Sequence, residues 1–181
     1  GCFAVVSGVL KVCATSTEGE EAMLAILGSG DVIGEMGLVD GQPRSADVTA
    51  LKDCTLAFLA TRDFNRFADA NPAVYRHILL IVSSRLRASN EAFAAYQLLP
   101  LSGRLARLLL RLAEGFGEEV AGSRMLIRQK FTQADLAKMT GSARENVNRQ
   151  LNDWRSGKLI SRISGYYCIE NKDKLMEIAR L

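Results

Sequence analysis

Short apolar segments separated by turn residues fill the first third of the chain. Gly or Asp recurs about every ten residues between them, and Val, Ile, Leu and Thr dominate the segments. This pattern predicts antiparallel strands that close a small β-roll or barrel. The predicted strands are Phe3 to Val6, Val9 to Thr15, Ala22 to Leu27, Val32-Ile33, Ala46 to Leu51 and Cys54 to Leu59.

Two helices are predicted next. Thr61 opens an N-capped turn that carries Phe64 and Phe67 and ends at Asn71-Pro72. No glycine follows from Pro72 to Leu98, and proline is tolerated in a first helical turn, so one long helix is predicted there.

Apolar residues recur along this long helix at steps of four and three. Such a heptad pattern predicts a two-stranded coiled coil and therefore a homodimer, with an amphipathic helix packed on its own roll as the alternative. Ser89 is the one polar residue in this apolar pattern. Because a buried polar residue costs stability, we expect Ser89 either to fix the register of the two helices or to bind a polar ligand. The candidate dimer residues are Tyr75, Leu79, Val82, Leu86, Phe93 and Tyr96.

The last part of the chain predicts a winged helix-turn-helix. An amphipathic helix from Ser102 to Glu114 is followed by a glycine-punctuated turn and an apolar strand at Met125 to Ile127. Two short helices then each open with a capping box, Thr132 with Asp135 and Ser142 with Glu145, and Gly141 joins them. The wing is predicted from two further strands, Leu159 to Ile163 and Tyr166 to Ile169.

These elements predict an α+β protein in three parts. The β-roll covers residues 1–71, the long dimerisation helix 72–98 and the winged helix-turn-helix 99–181. The chain starts like the middle of a strand, so we expect the roll to be incomplete at its N-terminus.

Charge separates the two halves of the chain. Residues 1–98 hold 8 Lys+Arg and 11 Asp+Glu, a net charge of −3, whereas residues 99–181 hold 15 and 9, a net charge of +6. This asymmetry favours a polyanion as the partner of the second half, with a solvated basic face as the alternative.

The second helix of the pair carries groups that can read DNA bases. Val147 and Leu151 face inward, while Arg144, Glu145, Asn148 and Arg149 take the opposite side. A guanidinium can donate two hydrogen bonds to guanine, and a carboxylate can accept one from cytosine. Residues around the helix would contact phosphates and fix its position. The candidate DNA-binding residues are Thr132, Gln133, Ser142, Arg144, Glu145, Asn148, Arg149 and Lys158.

Several classes of function find no support. The four cysteines are far apart and His77 is the only histidine, so no zinc or iron–sulfur site and no nucleophile–base pair is predicted, and we expect no enzyme. No apolar run reaches the roughly 18 residues of a membrane span, and the start lacks a secretion signal. A cytoplasmic location without membrane contact is expected.

Two motifs together resemble the bacterial Crp/Fnr transcription factors over essentially the whole chain. Gly34-Glu35-Met36-Gly37-Leu38 with Pro43-Arg44-Ser45-Ala46 is similar to the phosphate-binding cassette of cyclic-nucleotide-binding domains. Thr132 to Ala137, then Gly141 and Arg144-Glu145-Asn146-Val147-Asn148-Arg149, matches the family's helix-turn-helix pattern. The resemblance implies a ligand-responsive regulator that binds palindromic DNA with TGTGA-type half-sites as a homodimer and works with RNA polymerase.

The resemblance also implies a cyclic-nucleotide site, with cyclic AMP as the favoured allosteric effector and no covalent cofactor. Arg44, Ser45 and backbone amides near Gly34 and Ala46 suit a cyclic phosphate, and Glu35 would accept from the ribose 2′-hydroxyl. The implied ligand-binding residues are Gly34, Glu35, Met36, Arg44, Ser45, Ala46, Arg85, Ser89 and Asn90.

The chain departs from the family pattern at two places. Ser89-Asn90 stands where the cyclic-AMP receptor has Thr-Ser, so cyclic GMP, another effector or no effector stays open. Pro100 replaces the aspartate that commonly opens the next helix, which alters the hinge. The alternative functions are a constitutive DNA binder of the same fold, or a nucleotide-binding module whose C-terminal domain binds a protein.

Overall fold

The computed structural model describes residues 1–122 and 124–180. The chain folds into two compact units, Gly1–Glu91 and Ala92–Leu181. The division falls inside the long helix. Each unit has its own core of buried apolar side chains.

The first unit contains the predicted β-roll. Its strands form two three-stranded antiparallel sheets, in the orders β4-β1-β6 and β3-β2-β5 once numbered along the chain. The strands are β1 (Cys2–Ser7), β2 (Leu10–Thr15), β3 (Glu21–Leu27), β4 (Val32–Ile33), β5 (Asp47–Ala50) and β6 (Thr55–Leu59). All six lie where the alternation of apolar segments and turns predicts them.

Three helices complete this unit, and the last of them continues beyond Glu91. They are α1 (Glu35–Val39), α2 (Thr61–Ala70) and α3 (Ala73–Leu98). Phe64 and Ala68 of α2 are buried with Cys2 and Leu38, and Val74 and Ile78 from the start of α3 pack against them. Burial of these apolar groups holds the first turns of α3 on the roll.

The expected N-cap of α2 is wrong by one residue. Ala60 occupies the N-cap position and makes no side-chain capping bond. The Thr61 hydroxyl instead accepts a hydrogen bond of 2.8 Å from the Gly1 nitrogen. A partner 60 residues away in the sequence therefore takes the group that local propensity assigns to a cap.

The second unit is a winged helix-turn-helix. One four-stranded antiparallel sheet has the order β7-β8-β10-β9. Its strands are β7 (Gly117–Val120), β8 (Arg124–Ile127), β9 (Ile160–Ile163) and β10 (Tyr166–Ile169). Its helices after α3 are α4 (Leu101–Phe116), α5 (Gln133–Thr140), α6 (Arg144–Ser156) and α7 (Lys172–Ile178).

Helix α4 is the centre of this unit. Leu105, Ala106 and Leu109 are fully buried, and Leu112 is nearly so. These residues recur at helical spacing and give α4 one apolar face. The face packs against α5, α6, α7 and strand β8. The predicted amphipathic helix is therefore the support on which the helix-turn-helix rests.

Strand β7 replaces part of the turn predicted after α4. Its sequence, Gly-Glu-Glu-Val, carries no apolar alternation, and its first three residues are exposed. It forms because it pairs with β8 in register from Gly117 opposite Ile127 to Val120 opposite Arg124. Backbone pairing decides the structure here, where side-chain pattern indicates only a turn.

The N-cap of helix α6 lies one residue later than predicted. Ala143 is the N-cap and makes no side-chain capping bond, so the predicted Ser142–Glu145 box is wrong. The reason is that the Ser142 hydroxyl accepts a hydrogen bond of 3.0 Å from Arg104 Nη2. The first predicted box, Thr132 with Asp135, is present in full.

Candidate functional site

The cassette loop is built around a left-handed glycine. Gly34 has φ of +79° and is the N-cap of α1. A Cβ at this position would overlap the guanidinium of Arg44. Both the backbone conformation and the close approach therefore require glycine, which lets Arg44 lie against the loop.

Arg44 is exposed and tied to two backbone carbonyls. Its Nη1 donates to the Gly34 carbonyl at 2.7 Å, and its Nη2 donates to the Gly1 carbonyl. The Ser45 hydroxyl lies 4.0 Å from the Met36 sulfur. Ala46, half-buried, leads into β5. The structure therefore brings Gly34, Met36, Arg44 and Ser45 to one side of the roll.

Glu35 is a buried charge at the start of α1. Only 1% of it is exposed to solvent. Its Oε1 accepts a hydrogen bond from Arg85 Nη1, and Arg85 Nη2 donates to the Val32 carbonyl. The other carboxylate oxygen, Oε2, is buried without a partner among the described residues. Because Arg85 lies on α3, this ion pair joins the long helix to the cassette.

Ser89 and Asn90 lie on the exposed surface of α3, one turn beyond Arg85. Within the part of the chain that the structure describes, neither of them hydrogen-bonds to a cassette residue. A cavity of about 660 Å³ lies elsewhere in the roll, between residues of both sheets. It is lined by Phe3, Leu10, Ile33, Val48, residues 50–54 and Leu56, and the cassette contributes none of this lining.

The helix-turn-helix is fixed by local hydrogen bonds at its first helix. The Thr132 hydroxyl accepts from the Asp135 backbone N–H at 3.1 Å, and the Asp135 carboxylate accepts from the Thr132 N–H at 2.8 Å. Gly141, with φ of +60°, ends α5. Ala137 is buried beneath the turn. This geometry sets α6 on the surface of the second unit.

Helix α6 has one buried and one polar face, as predicted. Val147, Leu151 and Trp154 are buried. Glu145 and Arg149 are exposed on the side away from Val147. Arg144 is also exposed, but it lies three residues before Val147 and therefore on the same side of the helix, not on the opposite side as predicted. Lys158 is exposed just beyond the helix end. Asn148 and Gln133 are half-buried, and Gln133 Nε2 donates to Asn148 Oδ1 at 2.7 Å. Helix α6 therefore exposes charged side chains at the surface of the second unit.

The wing beside α6 has a tightly packed aromatic base. Tyr167 is 2% exposed, and burial raises the pKa of its phenol. The Arg162 guanidinium lies 4.5 Å from the centre of this ring, and Lys130 lies 5.1 Å from the ring of Tyr166. Burial also raises the pKa of the Cys168 thiol in the same strand. Two cations are thereby held at the wing by aromatic faces.

Arg104 is a candidate functional residue that sequence reasoning missed. It donates to Ser142 just before α6 and to the Tyr96 carbonyl at 3.3 Å, and its guanidinium lies 5.0 Å from the Tyr96 ring centre. The sequence did contain a signal for this residue. A cation in the first turn of a helix interacts unfavourably with the helix dipole, which indicates that another group stabilises it there. Arg104 links the end of α3 to the turn before α6.

Two family models match successive parts of the chain. The cyclic nucleotide-binding domain matches residues 1–71, and the Crp-like helix-turn-helix domain matches residues 103–178. The cAMP-activated global transcriptional regulator CRP of Escherichia coli O157:H7 is 32% identical over 160 residues, which is 88% of this chain and 75% of that protein. The chain belongs to the Crp/Fnr family.

Two further comparisons cover almost the whole chain. The CRP-like cAMP-activated global transcriptional regulator of Mycobacterium tuberculosis H37Rv is 26% identical over 178 residues, 98% of this chain and 79% of that protein. The structure of FixK2 from Bradyrhizobium japonicum superposes with a TM-score of 0.85 at 19% identity, covering 99% and 87% of the two chains. The second comparison shows that the fold is shared.

This Crp/Fnr protein is a transcriptional regulator with a cyclic-nucleotide-binding domain and a DNA-binding helix-turn-helix. The named relatives are regulators and not enzymes, in line with the prediction from sequence. Over residues 1–122 and 124–180, no three His, Cys, Asp or Glu side chains converge where a metal could be held. No helix in those ranges has the length and apolar character to cross a membrane.

Proposed function

We propose that this Crp/Fnr regulator is gated by a cyclic nucleotide bound in the cassette against α3, with cyclic AMP as the first candidate. The observation that carries the proposal is the buried Glu35 carboxylate. One of its oxygens is held by Arg85, and the other has no partner among the described residues. A buried acceptor of this kind costs free energy until a donor reaches it, and a ribose hydroxyl is such a donor.

Arg44 and Ser45 supply the phosphate contacts in this proposal. Both are exposed at the cassette, near the N-terminus of α1. A guanidinium and a hydroxyl match a cyclic phosphate, which carries one negative charge. To bind it, Arg44 exchanges at least one of its two carbonyl partners, Gly34 and Gly1, for a phosphate oxygen.

The base would lie near Ser89 and Asn90 on α3. The serine offers a hydroxyl, and the asparagine offers both a donor and an acceptor. These groups suit adenine, and they also suit guanine, so cyclic GMP is the second nucleotide to test. The carbonyl bonds of Arg44 favour one alternative, in which the cassette stays closed and the protein binds DNA without an effector.

The homodimer proposal rests on an apolar stripe along α3. Leu79, Leu86 and Phe93 are each more than 60% exposed, and Val82 and Tyr96 continue the same heptad pattern. Tyr75 also stacks edge-on against Phe64 of its own chain, at 5.9 Å between ring centres. An exposed apolar stripe of this length is stabilised when another helix covers it. A second copy of the chain carries the same heptad pattern and can pack against it as a coiled coil. Sedimentation equilibrium of Leu86→Lys should show a monomer where the unmodified chain is a dimer.

A dimer of this kind would present two copies of α6 to DNA about one helical turn apart, roughly 34 Å. Arg144, Glu145 and Arg149 would read base edges in the major groove, while Thr132 and Lys158 would contact phosphates and Ser142 would position the helix. The target is then a palindromic site, read in the cytoplasm beside RNA polymerase. Nucleotide binding biases the dimer between two states that hold the two helices differently.

Calorimetric titration of the full chain with cyclic AMP, and separately with cyclic GMP, tests the gating proposal. We expect micromolar binding, weakened at least about ten-fold by Arg44→Ala, because a charge-assisted contact is lost. Arg62→Ala removes an exposed arginine of α2 and should leave binding unchanged. Absence of heat with both nucleotides would contradict the proposal, as would equal binding by the Arg44 variant.

A further inference from the structure

The hydrogen-bonding capacity of Asn148 is partly used inside the protein. Its side-chain oxygen accepts from Gln133 Nε2 at 2.7 Å and from Asn152 Nδ2 at 3.3 Å. Gln133 is the first residue of α5, and Asn152 lies one turn further along α6. Two helices therefore hold the Asn148 amide in one orientation.

This orientation decides what Asn148 can offer to a ligand. An amide oxygen has two lone pairs, and both face donors of the same chain. The amide nitrogen retains two hydrogens, and Asn148 is half-buried on α6, so it keeps some contact with solvent. Asn148 therefore presents hydrogen-bond donors and no acceptor.

A side chain that offers only hydrogen-bond donors interacts differently with the major-groove edge of each base. Guanine presents two acceptors, N7 and O6, while thymine presents one acceptor beside a methyl group. Adenine pairs with a free asparagine through one donor and one acceptor, and cytosine presents a donor. An asparagine without a free acceptor loses the two-point contact with adenine and meets the donor of cytosine unfavourably.

We propose that Asn148 is a specificity-determining residue that selects guanine and rejects adenine at one position of the DNA half-site. This inference rests on the proposed insertion of α6 into the major groove. It adds that Asn148 donates hydrogen bonds to the base it contacts and does not accept them. Gln133 and Asn152 determine this, because they occupy the Asn148 side-chain oxygen. Gln133 acts as a positioning residue in this scheme.

The test is selection of duplexes from a random library by the full chain, with cyclic AMP present, followed by affinity measurements on the recovered site. Asn148→Ala identifies the position that Asn148 reads, because selection should relax at one base pair per half-site. At that position we expect the unmodified protein to bind the guanine duplex about ten-fold or more tightly than the adenine duplex.

Two variants of Gln133 test whether the orientation of the Asn148 amide, and not only its presence, sets the base preference. Gln133→Glu offers only an acceptor, so the Asn148 amide should turn and expose its oxygen, and the guanine preference should fall or pass to adenine. Gln133→Lys keeps a donor and should keep the guanine preference. Gln150→Ala removes another amide of α6, two residues on and hence on another side of the helix, and should leave selection unchanged.

The outcomes distinguish this inference from the function on which it rests. If no duplex is enriched, DNA reading by α6 fails and the Asn148 proposal fails with it. If a site is recovered but Asn148→Ala changes no position, or weakens all sequences equally, the proposal alone is overturned. It is also overturned if Gln133→Glu and Gln133→Lys give the same ratio of guanine to adenine affinity.

Discussion

The buried pair of Glu35 and Arg85 predicts an unusual order of stability among three variants. Arg85→Met keeps the aliphatic part of the side chain but leaves a carboxylate that is 1% exposed without its cation. Breaking a buried ion pair from one side costs about 3–5 kcal/mol in the free energy of unfolding. Arg85 is 36% exposed, so Glu35→Gln leaves a cation that water still reaches, and we expect a cost of about 1–2 kcal/mol.

The double variant is the decisive one. Glu35→Gln combined with Arg85→Met removes both charges, so it should be more stable than Arg85→Met alone by about 1 kcal/mol or more. Adding a second substitution should thus restore stability. This reversal is expected only if the carboxylate is buried and charged in the folded protein.

Hydrogen exchange of peptides from residues 1–71, read by mass spectrometry, measures the free energy of opening of the roll. The chain has a single tryptophan, Trp154, which lies in α6, so its fluorescence follows the second unit and should be unchanged by all three variants. All variants are compared at one protein concentration, because dimer formation would change the apparent stability. A loss below about 1 kcal/mol for Arg85→Met, or a double variant no more stable than it, would refute the reasoning.

Three smaller predictions follow from single groups. Thr132→Ala removes the N-cap of α5 and should lower the free energy of unfolding, followed by Trp154 fluorescence, by about 1 kcal/mol; no change would contradict the capping role. The Tyr167 hydroxyl is buried with no described partner, so Tyr167→Phe should be at least as stable at pH 7. Its pKa is raised by burial, so the unfolded chain ionises first, and stability should fall above about pH 10 less steeply in the variant. Cys54, half-buried, should react with a thiol reagent at neutral pH before Cys168, which is buried and has a raised pKa; peptide mapping that finds the reverse order would contradict this.

The elements that sequence predicts well are those with local signals. The six strands of the roll each carry a run of apolar residues between turns, and the capping box at Thr132 lies within four residues. Gly34 and Gly141 occupy left-handed positions that their motifs require. In each case the residues that determine the structure are close together in the chain.

Predictions fail where a distant partner takes a group that local rules assign elsewhere. Ser142 has the spacing of an N-cap, but Arg104, 38 residues earlier, donates to its hydroxyl. Strand β7 has no apolar alternation and forms through pairing with β8. Spacing alone gives no pairing of Glu35 with Arg85, which are 50 residues apart. The resemblance to the Crp/Fnr family named both residues, and the structure adds that the pair leaves one carboxylate oxygen unpartnered.

Coupling between nucleotide and DNA is the central claim, and the affinity of the full chain for its selected duplex measures it directly. Fluorescence anisotropy should show binding at least about ten-fold tighter with saturating cyclic AMP or cyclic GMP than without. By linkage, the duplex should tighten nucleotide binding by the same factor. Equal DNA affinity with and without either nucleotide would contradict the account and leave a regulator that binds DNA without this effector.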